Sequence, residues 1–147
     1  MTLAFMEDAL RAAQEAEQAG EVPVGAVIVR DGQILATAGN RVERDQDPSA
    51  HAELLAIRAA AAKTGSKWLT HCDLYVTLEP CPMCAGAISL ARLRRVYYGA
   101  ADPKSGGVDH GPRVFAQSTC HHAPEVIAGV EESRCGELLR RFFAQRR

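Results

Sequence analysis

Residues 74–98 constrain the fold more than any other stretch. An apolar run at 74–78 is followed at once by Pro80 and Pro82, then by small and apolar residues, then by a second apolar run at 96–98. Proline is tolerated in the first turn of a helix, so the pattern predicts a strand, a helix over about 82–93 and another strand. Two strands joined through one helix in so few residues form a right-handed parallel crossover. A chain holding such a unit builds a sheet with helices packed on its faces.

The flanking segments extend that plan. Leu3, Met6, Leu10 and Ala13 recur at helical spacing, and Gly20 closes the segment. Residues 22–30 read as a buried strand, Asp31-Gly32 as a hairpin turn and residues 33–38 as the returning strand. Pro48-Ser49 offers a helix start with Ser49 as N-cap, and Gly65 stops the alanine-rich run that follows. Residues 126–130 suit a fifth strand. Cys135, Leu138, Leu139, Phe142 and Phe143 mark one face of a C-terminal helix. The expected architecture is α/β, a three-layer α/β/α sandwich around a mixed sheet of about five strands, as one domain over residues 1–147. In such sheets a site forms where strands end and helices begin.

Composition sets the boundaries. The first residues carry neither a basic leader nor a long apolar run, so no signal peptide or membrane span is expected and the cytoplasm is the default compartment. Five cysteines then suit metal binding or burial better than disulfides. The net charge of −1 hides an asymmetry: residues 1–90 hold seven Lys/Arg against twelve Asp/Glu, and residues 91–147 hold ten against six. A basic half suits a polyanion, though a solvated face has the same composition.

Two short stretches carry chemistry: His51-Ala52-Glu53 and Pro80-Cys81-Pro82-Met83-Cys84, each opening a predicted helix. Cys81 and Cys84, three residues apart, share one side of a first turn. His51 and Glu53 would not share a helical face, but both reach a metal lying beyond the helix end. One imidazole and two thiolates suit zinc and leave a fourth position for water. Two thiolates already offset the ion's charge, so a nearby carboxylate that accepts the water's proton gains importance, and Glu53 suits that role better than a ligand's. A redox cysteine pair also fits a strand-to-helix turn. A closed structural zinc site would draw a fourth donor from Cys72, Cys120, His121 or His122.

With those residues in view, the sequence resembles the cytidine/deoxycytidylate-type zinc deaminases, most closely the bacterial tRNA-specific adenosine deaminases. The resemblance runs through Glu21-Val22-Pro23-Val24-Gly25-Ala26-Val27, Asp47-Pro48-Ser49-Ala50-His51-Ala52-Glu53, residues 74–87, residues 95–99, Asp102-Pro103-Lys104-Ser105-Gly106 and Phe142-Phe143. It implies that His51, Cys81 and Cys84 bind one Zn2+ per chain and that Glu53 shuttles protons during hydrolysis of adenosine to inosine at the first anticodon position. By the same likeness Asn40 contacts the base, Val24 walls the pocket, and the backbone near Ala52, Leu78 and Glu79 meets the reacting groups. An anticodon stem-loop of tRNA is the implied partner, met by Lys104 and by Arg140, Arg141, Arg146 and Arg147. Phe142 and Phe143 would stack on bases or fill the core. Cys120, His121 and His122 are discounted as a metal site, and Cys72 and Cys135 are read as small buried groups. A homodimer is implied, and the small residues Ala85, Gly86, Ala87 and Ser89 suit a close helix–helix approach. Guanine or another free base, or zinc-stabilised RNA binding without catalysis, remain the competing functions.

Overall fold

A computed structural model describes residues 2–146. Its sheet comprises β1 (Gly25–Arg30), β2 (Gln33–Gly39), β3 (Asp73–Leu78), β4 (Arg95–Ala100) and β5 (Glu125–Ile127), in the order β2-β1-β3-β4-β5. β1 pairs antiparallel with β2 and β3, while β3, β4 and β5 run parallel. Helices α1 (Thr2–Gln18), α2 (Ala52–Thr64), α3 (Pro82–Ala91) and α4 (Glu132–Gln145) cover its faces, with a 3-10 turn at Val114–Ala116. The expected crossover is present, because α3 joins two parallel strands.

Alternation along the strands sorts the layers. Ala26, Ile28, Leu74, Val76, Val96 and Tyr98 pack with Ala56 and Ala60 of α2 and Ala85 and Ile88 of α3. Val27, Val29 and Tyr75 point the other way, onto Met6, Leu10 and Ala13 of α1 and Cys135 and Leu138 of α4. At Gly25 a Cβ would stand 2.0 Å from the Ala9 carbonyl oxygen, so only glycine lets α1 lie this close to the sheet.

Several expected boundaries shift for local reasons. β1 begins at Gly25 instead of residue 22, since Pro23 has no N–H to give a ladder. Ser49 is not the N-cap of α2. Its N–H and hydroxyl both donate to the Asp47 carboxylate, at 2.8 and 2.7 Å, and the helix starts after His51. Gly65, left-handed at φ 71°, does end α2. α3 stops at Ala91 because Arg92 turns left-handed. β5 is only three residues long.

The topology gathers one edge of the sheet. β1 enters where β3 leaves, because the two are antiparallel, so the start of β1 and the ends of β2, β3 and β4 lie together.

Candidate metal centre and cavity

At that edge, two helix N-termini converge. His51 is the N-cap of α2 and Cys81 the N-cap of α3, with Pro82 in the first position. Neither end has a side-chain cap, so the partial positive charge of both first turns faces the site. His51 Nδ1 lies 3.5 Å from Cys81 Sγ and 3.5 Å from Cys84 Sγ. The ligand atoms of these three residues all fall within 4.8 Å of one another, the one such group of three or more among the described residues. Cys84 is buried, whereas His51 and Cys81 are partly open.

The titration pattern has clear causes. Hydrogen bonding from the Cys84 thiol, joined by His51 and the Cys84 N–H, outweighs burial and pulls Cys81 down to about 4. Cys84 moves the opposite way, because its S–H is committed to Cys81 and because it is buried. His51 is raised, first by its hydrogen bond to Cys81. A divalent cation completes this pattern: it replaces the shared proton and lets both sulfurs ionise. Two sulfurs and one nitrogen fit zinc, with a fourth position left for water. The donor chemistry therefore fits the metal.

Glu53 stands outside the ligand group and is buried on the first turn of α2. Burial raises its carboxyl to about 7, against its own backbone N–H and the His51 charge. A group near neutrality can both accept and return a proton.

Above these residues opens a cavity of about 880 Å3. Val24, Asn40, Leu78, Glu79, Lys104 and Phe143 line it together with His51, Glu53 and Cys81. Asn40 Oδ1 accepts the Ala52 N–H at 2.8 Å, which leaves the Asn40 amide N–H2 for a ligand and takes the Ala52 N–H out of use. The Glu79 carboxylate is fully engaged with loop 102–110.

Part of the basic C-terminal set does not reach this cavity. Arg140 and Arg141 line a separate groove with Leu10 and Gln14 of α1, and Arg140 pairs with Glu137 at 3.2 Å. Phe142 is buried, with the Arg146 guanidinium 3.7 Å over its ring, while Phe143 is half-exposed at the mouth. Leu138 and Phe142 set the inner stripe of α4, and Phe143 falls just off it. Arg146 lines the mouth, and Arg147 lies outside the described residues.

Sequence reasoning missed Glu21, Val42, Glu43 and Asp102 in the lining. Glu21 is buried and holds the N–H groups of Glu43 and Arg44 at 3.0 and 2.8 Å. No local pattern announces such a contact. The Cys120–His122 segment is a structural tie: His122 Nε2 meets the Leu93 carbonyl at 2.6 Å, and the Ser89 hydroxyl donates to the His122 carbonyl at 2.6 Å. Cys72 and Cys135 are buried.

Comparison with known proteins places this geometry. Residues 2–100 match the cytidine and deoxycytidylate deaminase zinc-binding region. The chain is 54% identical to the tRNA-specific adenosine deaminase of Agrobacterium fabrum, across 97% of this chain and 94% of that one. It is 45% identical to the Bacillus subtilis enzyme of that description, across 97% and 89%. A solved structure from work on A-to-I editing by tRNA:A34 deaminases at the wobble position superposes with a TM-score of 0.91 and 54% identity, covering 92% of this chain and 99% of that one. Guanine deaminase from Bacillus subtilis gives a TM-score of 0.64 and 47% identity over 67% of this chain and 63% of its own.

Proposed function

The chain belongs to the cytidine and deoxycytidylate deaminase family, and from that premise we infer that it is a zinc-dependent hydrolase converting adenosine to inosine in transfer RNA. The observation that carries the reading is the His51, Cys81 and Cys84 group with Glu53 buried beside it, outside the ligand set. His51, Cys81 and Cys84 hold one Zn2+ per chain. When bound, the metal supplies a Lewis acid that makes water nucleophilic at neutral pH.

Glu53 does the proton work. It takes a proton from the attacking water and delivers it to adenine N1 as the water oxygen bonds to C6. It then takes the remaining proton from the new C6 hydroxyl and passes it to N6, so that the C6–N6 bond breaks, ammonia leaves and the C6 carbonyl forms. The Asn40 amide N–H2 donates to an acceptor on the base. Val24 and Leu78 pack against the ring, and the backbone near Ala52 and Glu79 borders the reacting groups.

The substrate position is the first anticodon nucleotide, within an anticodon stem-loop. An adenosine there leaves its loop stack at modest cost and enters alone, while its neighbours stay outside. Lys104 and Arg146 at the mouth meet flanking phosphates, Phe143 stacks on a neighbouring base, and Arg140 and Arg141 extend the basic track along α4. Residues 1–147 act as one deaminase domain. Two copies pair over the α2–α3 layer, where half-exposed Trp68 and exposed Leu90 line a groove with Ile57, Ala61 and Ala87. No described helix is long and apolar enough to cross a membrane, and the enzyme works in the cytoplasm, where tRNA is.

The 47% identity to a guanine deaminase supports one rival. Measuring kcat/KM for a stem-loop with adenosine first in its anticodon, for free adenosine and for free guanine, at one salt concentration, separates the two. The stem-loop should react and the free compounds scarcely at all. Faster turnover of guanine would replace this reading.

A further inference from the structure

The Glu79 carboxylate has no step in the reaction, yet its side chain is fully buried two residues before a metal ligand. Its oxygens are saturated by one loop. Oε1 accepts the Asp102 N–H at 3.0 Å and pairs with His110 Nδ1 at 2.7 Å. Oε2 accepts the N–H groups of Val108, Asp109 and His110 at 3.2, 2.9 and 3.1 Å. The donors come from the two ends of loop 102–110, so a single carboxylate closes that loop into a ring.

Other contacts tighten the ring around the same centre. Gly106 N–H donates to the Asp102 carbonyl at 2.8 Å, Gly107 N–H to the Pro80 carbonyl at 2.8 Å, and the Tyr98 hydroxyl to the Asp109 carboxylate. A Cβ on Gly106 would stand 2.5 Å from both the Asp102 oxygen and Glu79 Oε2. The anchored loop presents Asp102, at its first anchor, and Lys104 and Ser105, between the anchors, to the cavity. Without the anchor, nine residues would have to be ordered when RNA binds, and the entropy cost would appear as lost affinity.

We propose that Glu79 is a positioning residue whose buried carboxylate, without touching the base, holds loop 102–110 as a preformed wall for the RNA flanking the reacting adenosine. The proposal rests on the tRNA reading above. It assigns the carboxylate a role in substrate affinity, separate from the proton transfers of Glu53.

The test uses the zinc-loaded protein and three variants: Glu79→Ala, Glu79→Gln and Gly106→Ala. Amide hydrogen exchange, zinc per chain, and KM and kcat on the anticodon stem-loop are measured together. In Glu79→Ala, exchange at residues 102 and 108–110 should quicken by about tenfold or more, and KM should rise about tenfold while kcat changes less than about threefold. Glu79→Gln should fall between wild type and Glu79→Ala, because its carbonyl can keep the three N–H groups on one oxygen while its NH2 opposes the Asp102 N–H. Gly106→Ala forces the ring open from the loop side and decides the matter if Glu79→Ala fails to fold or loses zinc.

Zinc-loaded variants with wild-type exchange and wild-type KM would overturn the proposal. So would a loss confined to kcat, which would make Glu79 part of the chemistry. A wild-type protein inactive on every stem-loop would overturn the tRNA reading alone. Loop exchange, with direct stem-loop binding in place of KM, would then still decide whether Glu79 positions the wall.

Discussion

The floor and the rim of the cavity hold their residues by different means. On the floor, His51 and Cys81 are N-caps, and Glu53 and Cys84 belong to the first turns of the same two helices. Each side chain is aimed by backbone that the sheet and the helix layer already hold. On the rim, loop backbone is held by buried carboxylates. Glu21 gathers the N–H groups of Glu43 and Arg44, and the Arg44 guanidinium reaches on to the Asn40 carbonyl at 2.7 Å. Glu79 gathers the opposite wall. The floor depends on contacts that either exist or do not. The rim depends on loops that can loosen by degrees.

Changes on the floor should therefore be all-or-none. Cys84→Ser should lose zinc, most of the stability that zinc supplies, and all deamination, seen together by metal analysis, thermal unfolding and inosine assay. Retention of one zinc per chain in that variant would remove Cys84 from the ligand set. Glu53→Ala should keep its zinc and lose about 10²–10⁴-fold in kcat, the scale of a positioned acid–base. Near-normal kcat there would end the distinction between ligand and proton carrier.

Changes on the rim should be graded. Replacing Lys104 and Arg146 by Ala should raise KM for the stem-loop and lower the slope of log affinity against log salt by about 2, one phosphate for each cation. The same change at Arg140 and Arg141, which line the groove beside α1, should have a smaller effect. An unchanged slope in both double variants would mark this charge as a solvated face.

The rim also carries a pH dependence. Burial alone would raise the Glu21 carboxyl, but the Arg44 and Glu43 N–H groups and the Arg44 guanidinium bring it below its usual 4.5. A depressed carboxyl stabilises the fold above pH 4.5, and that contribution disappears as pH falls through the lower folded-state value. The urea midpoint should thus drop more between pH 7 and acid in wild type than in Glu21→Gln. Parallel curves would show that Glu21 does not hold the rim. The smallest effect belongs to Cys120→Ser, which should leave zinc content unchanged because the Cys120 thiol is engaged with the Ser89 hydroxyl and the His122 carbonyl and stands outside the group of His51, Cys81 and Cys84.

The two motifs of the floor were legible in the sequence because each is short-range, although their meeting across 30 residues is the work of the fold. Two thiols three residues apart share a first turn, and His51-Ala52-Glu53 places an imidazole and a carboxylate on either side of a helix start. The crossover was legible too, since proline, small residues and apolar runs each act on backbone within a few residues. The start of α2 was misplaced because Ser49 has two uses for its N–H and hydroxyl, and Asp47 took both.

The sequence by itself offered the strand–helix–strand crossover and the two motifs that carry His51, Glu53, Cys81 and Cys84, each shaped by neighbours within a turn or a strand. Only the tertiary structure decided which C-terminal residues face the cavity. Phe142 and Phe143 are adjacent in an apolar stripe, and the roll of α4 against the sheet buries the first and leaves the second at the mouth. It also decided the rim, where Glu21 meets Glu43 across 22 residues and Glu79 meets His110 across 31. A carboxylate's partner at that separation is set by where the strands deliver the chain, and no local periodicity encodes it.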